Sequence, residues 1–338
     1  MAVSASVHAR IITVSNSPLN PGQFTSVDLA QGSANPGDTI YVHGTGINYG
    51  TFILIRPGLV VIGTGHTPQK QFPFVASFTT INVNADNCQL IGLVADNVIV
   101  STPNITMKRC KILGPSFVIG IDIFGGGPSR TVLLEGNVFT STNNTSSNVR
   151  VVANTGDIVI LRNNIFRAIV DTPCCAGNPA AFQIVNNIFL GGFHAFNFID
   201  KATINNNIFY SSSPFVPMAA TNTLSNNISY QCASNFFTVS PTITNSNNLE
   251  NADPMFVNYP GSNAVFSFFH DYNLAPGSPC LGSGSDGTDR GVYGGFGTNF
   301  NMTGEPAIAE ISSVTITSPT TVAHGGTLNV TVVSRRVH

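Results

Sequence analysis

Arg109, Glu135 and Arg162 come nearest, by type and spacing, to a chemical site in this chain. They are 26 and 27 residues apart. Each stands one or two positions before the second residue of a recurring short phrase, which predicts a stacked cation-anion-cation column. As a site, such a column would bind a carboxylate sugar. As structure it is an ion-pair ladder on a surface, where exposed pairs are common and cost little. Lys111, Arg150, Asp157, Arg167 and Asp171 are expected to gather in the same middle region.

Other chemistry-bearing residues are sparser. Asp286-Gly287-Thr288-Asp289 has the beginning of a calcium loop, so Asp286 and Asp289 are the candidate metal ligands. It lacks the further acids and the distal Glu of such a loop, and a closing turn accounts for it better. Seven His are scattered without metal-type spacing. His194, within Gly-Gly-Phe-His-Ala-Phe-Asn-Phe, is expected to be partly buried or at an interface. The six Cys include no Cys-x-x-Cys, which argues against zinc or a thioredoxin-like motif. Cys88 and Cys110 are 22 residues apart, near one repeat, a spacing that would allow them to stack within bonding reach, and an even count of Cys permits disulfides without demanding them.

Between residues 202 and 249 lie 48 consecutive positions without Asp, Glu, Lys or Arg. That stretch cannot supply the carboxylate pair of a glycoside hydrolase. Across all 338 residues the charged fraction is 9% with a net charge of -2, far below the ~25% usual in globular chains. So few cations exclude phosphate neutralisation on nucleic acid and an anionic-membrane patch. No run is long and apolar enough to span a bilayer, while 42% hydrophobic content is ample for a core. The surface must therefore be built from Asn, Ser, Thr and Gly, with Asn alone occurring 37 times.

The elements that position these residues repeat. Gly136-Asn137-Val138-Phe139, Asn163-Asn164-Ile165-Phe166, Asn186-Asn187-Ile188-Phe189, Asn206-Asn207-Ile208-Phe209, Asn226-Asn227-Ile228-Ser229 and Asn247-Asn248-Leu249 follow at steps of 27, 23, 20, 20 and 21 residues. Cys110-Lys111-Ile112-Leu113 fits one step earlier. Between them lie short Val/Ile/Thr-rich runs such as Asp157-Ile158-Val159-Ile160-Leu161, which read as strands and not as helices. The several Leu per repeat that a leucine-rich repeat needs are missing. A period of this length with these runs predicts an all-β parallel β-helix of about ten coils, each a few short strands. Asn tolerates the left-handed backbone of a tight corner, and its amides would hydrogen-bond from coil to coil. The following Ile or Val is expected to point inward, and the Phe to stack on its counterpart.

The chain resembles the right-handed, single-stranded parallel β-helix proteins of the pectin-lyase-like superfamily, of the secreted bacterial type. The resemblance rests on Ile11-Thr13-Val14, Pro36-Gly37-Asp38-Thr39-Ile40-Tyr41-Val42 and Leu59-Val60-Val61-Ile62-Gly63-Thr64-Gly65. It rests equally on Asp253-Pro254-Met255-Phe256-Val257, Asp271 to Pro279, and Asp286-Gly287-Thr288-Asp289-Arg290-Gly291. It covers residues 11 to 297 or so and is specific for fold. The superfamily includes lyases, hydrolases, tailspikes, adhesins and non-catalytic members. The Asn-Thr-Asp, Asp-Asp, Gly-His-Gly and Arg-Ile-Lys phrases of polygalacturonase-like hydrolases do not occur here.

Residues 1–10 read as an N-terminal extension or cap without a signal peptide, 11–302 as the β-helix, and 303–338 as a β-strand tail. Glu310 to Thr317 and Gly326 to Val333 alternate like the first two strands of an immunoglobulin-like sheet. That hairpin is expected either to fold back or to donate strands to a neighbouring subunit. The leading expectation is a non-catalytic extracellular or surface structural protein, a homo-oligomer or polymer assembling into a fibre, sheath or layer. Its alternatives are a polysaccharide lyase or hydrolase using Arg109, Glu135 and Arg162, and a glycan-binding adhesin or tailspike. No cofactor is expected beyond a possible calcium ion, and neither nucleic acid nor membrane is an expected partner.

Overall fold

The computed structural model describes residues 9–70, 73–102, 104–114, 121–123, 131–140, 147–151, 157–167, 169–171, 181–191, 194–197, 199–214, 221–235, 237, 244–261, 266–295, 300–317, 321 and 324–336. The chain is a parallel β-helix. Eleven strands, from Ile11–Val14 to Thr244–Ser246, stack in one parallel sheet. A second sheet of thirteen strands holds the remaining sides. One coil reads Thr131–Glu135, Val138–Phe139, Ser147–Val151, and the next Ile158–Arg162, Ile165–Phe166, Ile169–Asp171. Alternation sends Val132, Leu134, Val159, Leu161, Phe182 and Ile184 into the core.

The Asn-Asn phrase divides its labour. The first Asn takes the left-handed conformation at the corner, with φ of 54° at Asn163, 56° at Asn186, 58° at Asn206, 54° at Asn226 and 53° at Asn247. The second Asn faces inward. The main-chain N–H and the Nδ2 of Asn137 both donate to Asn164 Oδ1, at 2.9 and 3.0 Å. The same pair of bonds links Asn164 to Asn187, Asn187 to Asn207, Asn207 to Asn227 and Asn227 to Asn248. Cys110 holds the top position of this ladder, its N–H donating to Asn137 Oδ1.

The Phe stack is as expected: Phe139, Phe166, Phe189 and Phe209 lie 4.7, 5.1 and 5.0 Å apart at interplanar angles of 9°, 13° and 7°. Each such pair contributes about 1 kcal/mol beyond its burial. At Ser229 the stack ends, and Phe237 packs edge-on against Phe209 instead. The Ile that follows each pair does not point inward. With Asn164 and Phe166 facing the core, the period of two turns Ile165 outward. Val138, Ile165, Ile188, Ile208 and Ile228 are nevertheless buried, because the C-terminal part of the chain covers them.

That part runs back along the solenoid as a strap, described over residues 283–295 and 300–306. Asn226 Nδ2 donates to Ser283 O, Asn206 exchanges bonds with Ser285, and Asn186 Nδ2 donates to the carbonyls of Asp289 and Gly291. Asn163 Nδ2 donates to Val292 O and Gly294 O, both at 2.8 Å. Further up, Arg109 donates to Glu305 O, while His66 N–H and Thr67 N–H donate to Thr303 O. Gly291, at φ +87°, lies so close that a Cβ there would stand 2.6 Å from Ile208 Cδ1.

The N-terminal edge of the solenoid is closed. Phe24 pairs with Thr13 and Ser15, and helix Val27–Ser33, capped by Ser26, puts Val27 and Ala30 over the core. Arg10 and the Asn35 N–H bind Asp38. The Asn35 hydrogen bond, then those from Arg10, hold its carboxyl down at about 2. Residues 1–8 of the expected cap lie outside the described residues. At the other end, strand Thr244–Ser246 is exposed.

Beyond the strap, Ala309–Ile316 and Val330–Arg336 form an antiparallel hairpin. Val314 pairs with Val332 and Ile316 with Val330, so the four share one face. They are 59%, 55%, 59% and 45% exposed, respectively. Among the described residues no helix is long and apolar enough to cross a membrane.

Candidate functional site

One outward column of the first sheet can be followed coil by coil. It reads Thr13, Tyr41, Ile62, Ile91, Lys108, Glu135, Arg162, Val185, Asn205, Ser225, Ser246. Ions occupy three successive rungs in its middle. Glu135 Oε2 lies 3.0 Å from Lys108 Nζ, and its Oε1 lies 3.2 Å from Arg162 Nη2.

The expected column thus exists with one substitution: Lys108 stands in register with Glu135, and Arg109 does not. The reason is the corner. Arg109 takes φ +54° where Gly92 and Gly136 stand in the neighbouring coils, and this swings its guanidinium out of the column to Glu305 O at 2.7 Å. Parity would have identified Lys108, since Ile105 and Met107 are inward and the next outward position is 108.

A cavity of about 300 Å³ opens beside this column, between solenoid and strap. Ile62, Ile91, Phe300, Pro306 and Ile308 give it apolar walls, and Lys108, Arg109 and Glu135 are its charged lining. Burial lowers the pKa of Arg109, opposed by the nearby Glu135 charge. Both in-register neighbours of Glu135 are cations. Glycoside hydrolysis instead pairs a carboxylate with a second one about 5–9.5 Å away.

The other charges expected in this region are spread over different surfaces. Arg150 is in register with Asp171 in the second sheet, and Asp171 accepts from Asn197. Lys111 Nζ sits 4.5 Å from the Phe268 ring centroid, a cation–π contact, and desolvation lowers its pKa. Asp157 and Arg167 are buried.

Asp286 Oδ1 accepts from Thr288 N–H and Oγ1, and Asp289 Oδ1 from Gly282 N–H. These bonds close a turn within the loop itself. Among the described residues no three His, Cys, Asp or Glu gather as a metal site. His194 is exposed, in a bridge with Ser213, so of the two placements expected for it partial burial does not hold.

Cys88 and Cys110 are both buried free thiols. Register explains why they do not stack: Gln89 pairs with Thr106, which puts Cys88 beside Ile105. Cys110 Sγ instead lies at the next corner, 3.5 Å from Leu93 N, and desolvation pushes its thiol up to about 12.

His66 escaped the sequence reading, because nothing marks it except the glycines before it. It is 3% exposed, its two ring nitrogens have no hydrogen-bond partner among the described residues, and its ring lies under Gly304 and against Phe268. A Cβ at position 304 would collide with the imidazole. Desolvation, then the charges of Lys111 and Lys70, bring its pKa down to about 3.

No protein-family model matches the chain, and no curated protein sequence is significantly similar to it.

Proposed function

We propose that this chain is a non-catalytic extracellular structural protein of the pectin-lyase-like type, a rod that joins further copies of itself through its C-terminal hairpin. The observation behind this reading is the apolar face of Val314, Ile316, Val330 and Val332, which no described part of the chain covers. A two-stranded sheet is marginal alone in water, and burying such a face is the main favourable term in association. A second copy of the same face is its complement, giving a two-fold contact. Stacking coil on coil is disfavoured, since helix Val27–Ser33 and the Phe24 segment close one end. Low net charge adds little repulsion between copies.

Sedimentation equilibrium and electron microscopy test this directly. The full chain should form dimers, and Val332→Lys should return it to monomer with the solenoid's circular dichroism unchanged. Monodisperse monomer for the unaltered chain sinks the proposal.

A further inference from the structure

We infer that the cavity between the strap and the ion column binds a small carboxylate with an apolar body. Two observations converge on it. The first is a surplus cation. Glu135 is committed to Lys108 and Arg162, so its charge is already answered twice. Arg109, which lines the cavity, is half-buried, and among the described residues only one N–H of its guanidinium has a partner, the neutral carbonyl of Glu305. A guanidinium carries five donors in a fork that fits a carboxylate, and a half-desolvated one whose nearest carboxylate, Glu135, forms its ion pairs with two other cations is under-neutralised.

The second observation is the shape and lining beside it. Ile62 and Ile91 form one wall, and Phe300, Pro306 and Ile308, brought over by the strap, form the other. A sugar acid would press its hydroxyls against these side chains without hydrogen-bond partners, a costly arrangement. An acyl chain or a small ring system would not. The volume, about 300 Å³, is about twice that of an engineered cavity that takes one benzene, so a body of about eight to ten carbons fills it.

Calorimetric titration of the full chain with octanoate and with 1-octanol tests this, using two neutral ligand-site variants and one hairpin variant. Octanoate should bind one to one, at least tenfold tighter than octanol. Arg109→Gln should bring octanoate to the level of octanol while leaving octanol unchanged. Ala307→Trp, which fills the cavity from the strap side, should abolish both, and Val332→Lys in the hairpin should change neither. The inference falls if octanoate gives no binding heat, if the two probes bind equally to the unaltered protein, or if Ala307→Trp leaves octanoate binding intact. It stands apart from the assembly proposal, because Val332→Lys removes assembly and keeps this site.

Discussion

In Asn186-Asn187 the first side chain faces the strap and the second faces the interior, and their replacement should cost different amounts. Asn187 accepts from Asn164 N–H and Nδ2 and donates to Leu161 O, Val185 O and Asn207 Oδ1. Asn187→Ala strands several of these buried groups at once, each worth about 1–3 kcal/mol when left unsatisfied. Partial relaxation brings the expected loss to about 3 kcal/mol. Asn186→Gly keeps the left-handed corner and loses only its two strap bonds, so about 1 kcal/mol is expected. Urea midpoints of the two variants check the order, and equal midpoints would overturn this assignment of roles. The recurrence of the dipeptide was plain in the sequence. Which Asn did which job was not, because the inward parity is set by strand register and not by residue type.

The strap is the element that sequence reading did not reveal. Its residues 283–295 are rich in Gly, Ser and Asp, a composition that signals loop. What it offers the Asn and Arg side chains of the solenoid is mostly main-chain oxygens, which every sequence supplies. The coils, by contrast, were legible because burial forces Val, Ile, Leu and Phe to alternate in short strands. The strap also brings a pH dependence. Burial keeps the His66 ring neutral in the docked state, with its pKa at about 3, against about 6.5 when exposed. A base whose pKa is lowered on docking gives full stability above its exposed value and loses it as the pH falls below. Lys111 and Lys70 add repulsion to a protonated ring. At pH 5 the docked strap should be weaker by about 2 kcal/mol than at pH 7. Hydrogen exchange across residues 300–306, corrected for intrinsic rates, should therefore speed up at pH 5, and His66→Phe should remove the difference. Exchange that is equally slow at both values would show that His66 does not control docking.

For the whole molecule, fold class and repeat frame followed from period and strand composition, and the ion column was found with an error of one residue at one corner. The cavity was not foreseeable, since Phe300, Pro306 and Ile308 reach Ile62 and Ile91 from more than 200 positions away in sequence. The antiparallel course of the strap has a mechanical consequence. The hairpin leaves the solenoid near the early coils, after Glu305 and Pro306 have passed Arg109 and Gly92. A pull on the hairpin therefore loads the strap from its Pro306 end, and the contacts at Arg109, Asn163, Asn186, Asn206 and Asn226 break in turn, never together. In an optical trap, tension applied between the N-terminus and the hairpin should produce a series of small, reversible lengthening steps before any coil opens. A single large rupture would contradict it. A rod built this way yields gradually under load and re-zips when the load is removed, while the stacked coils beneath remain folded.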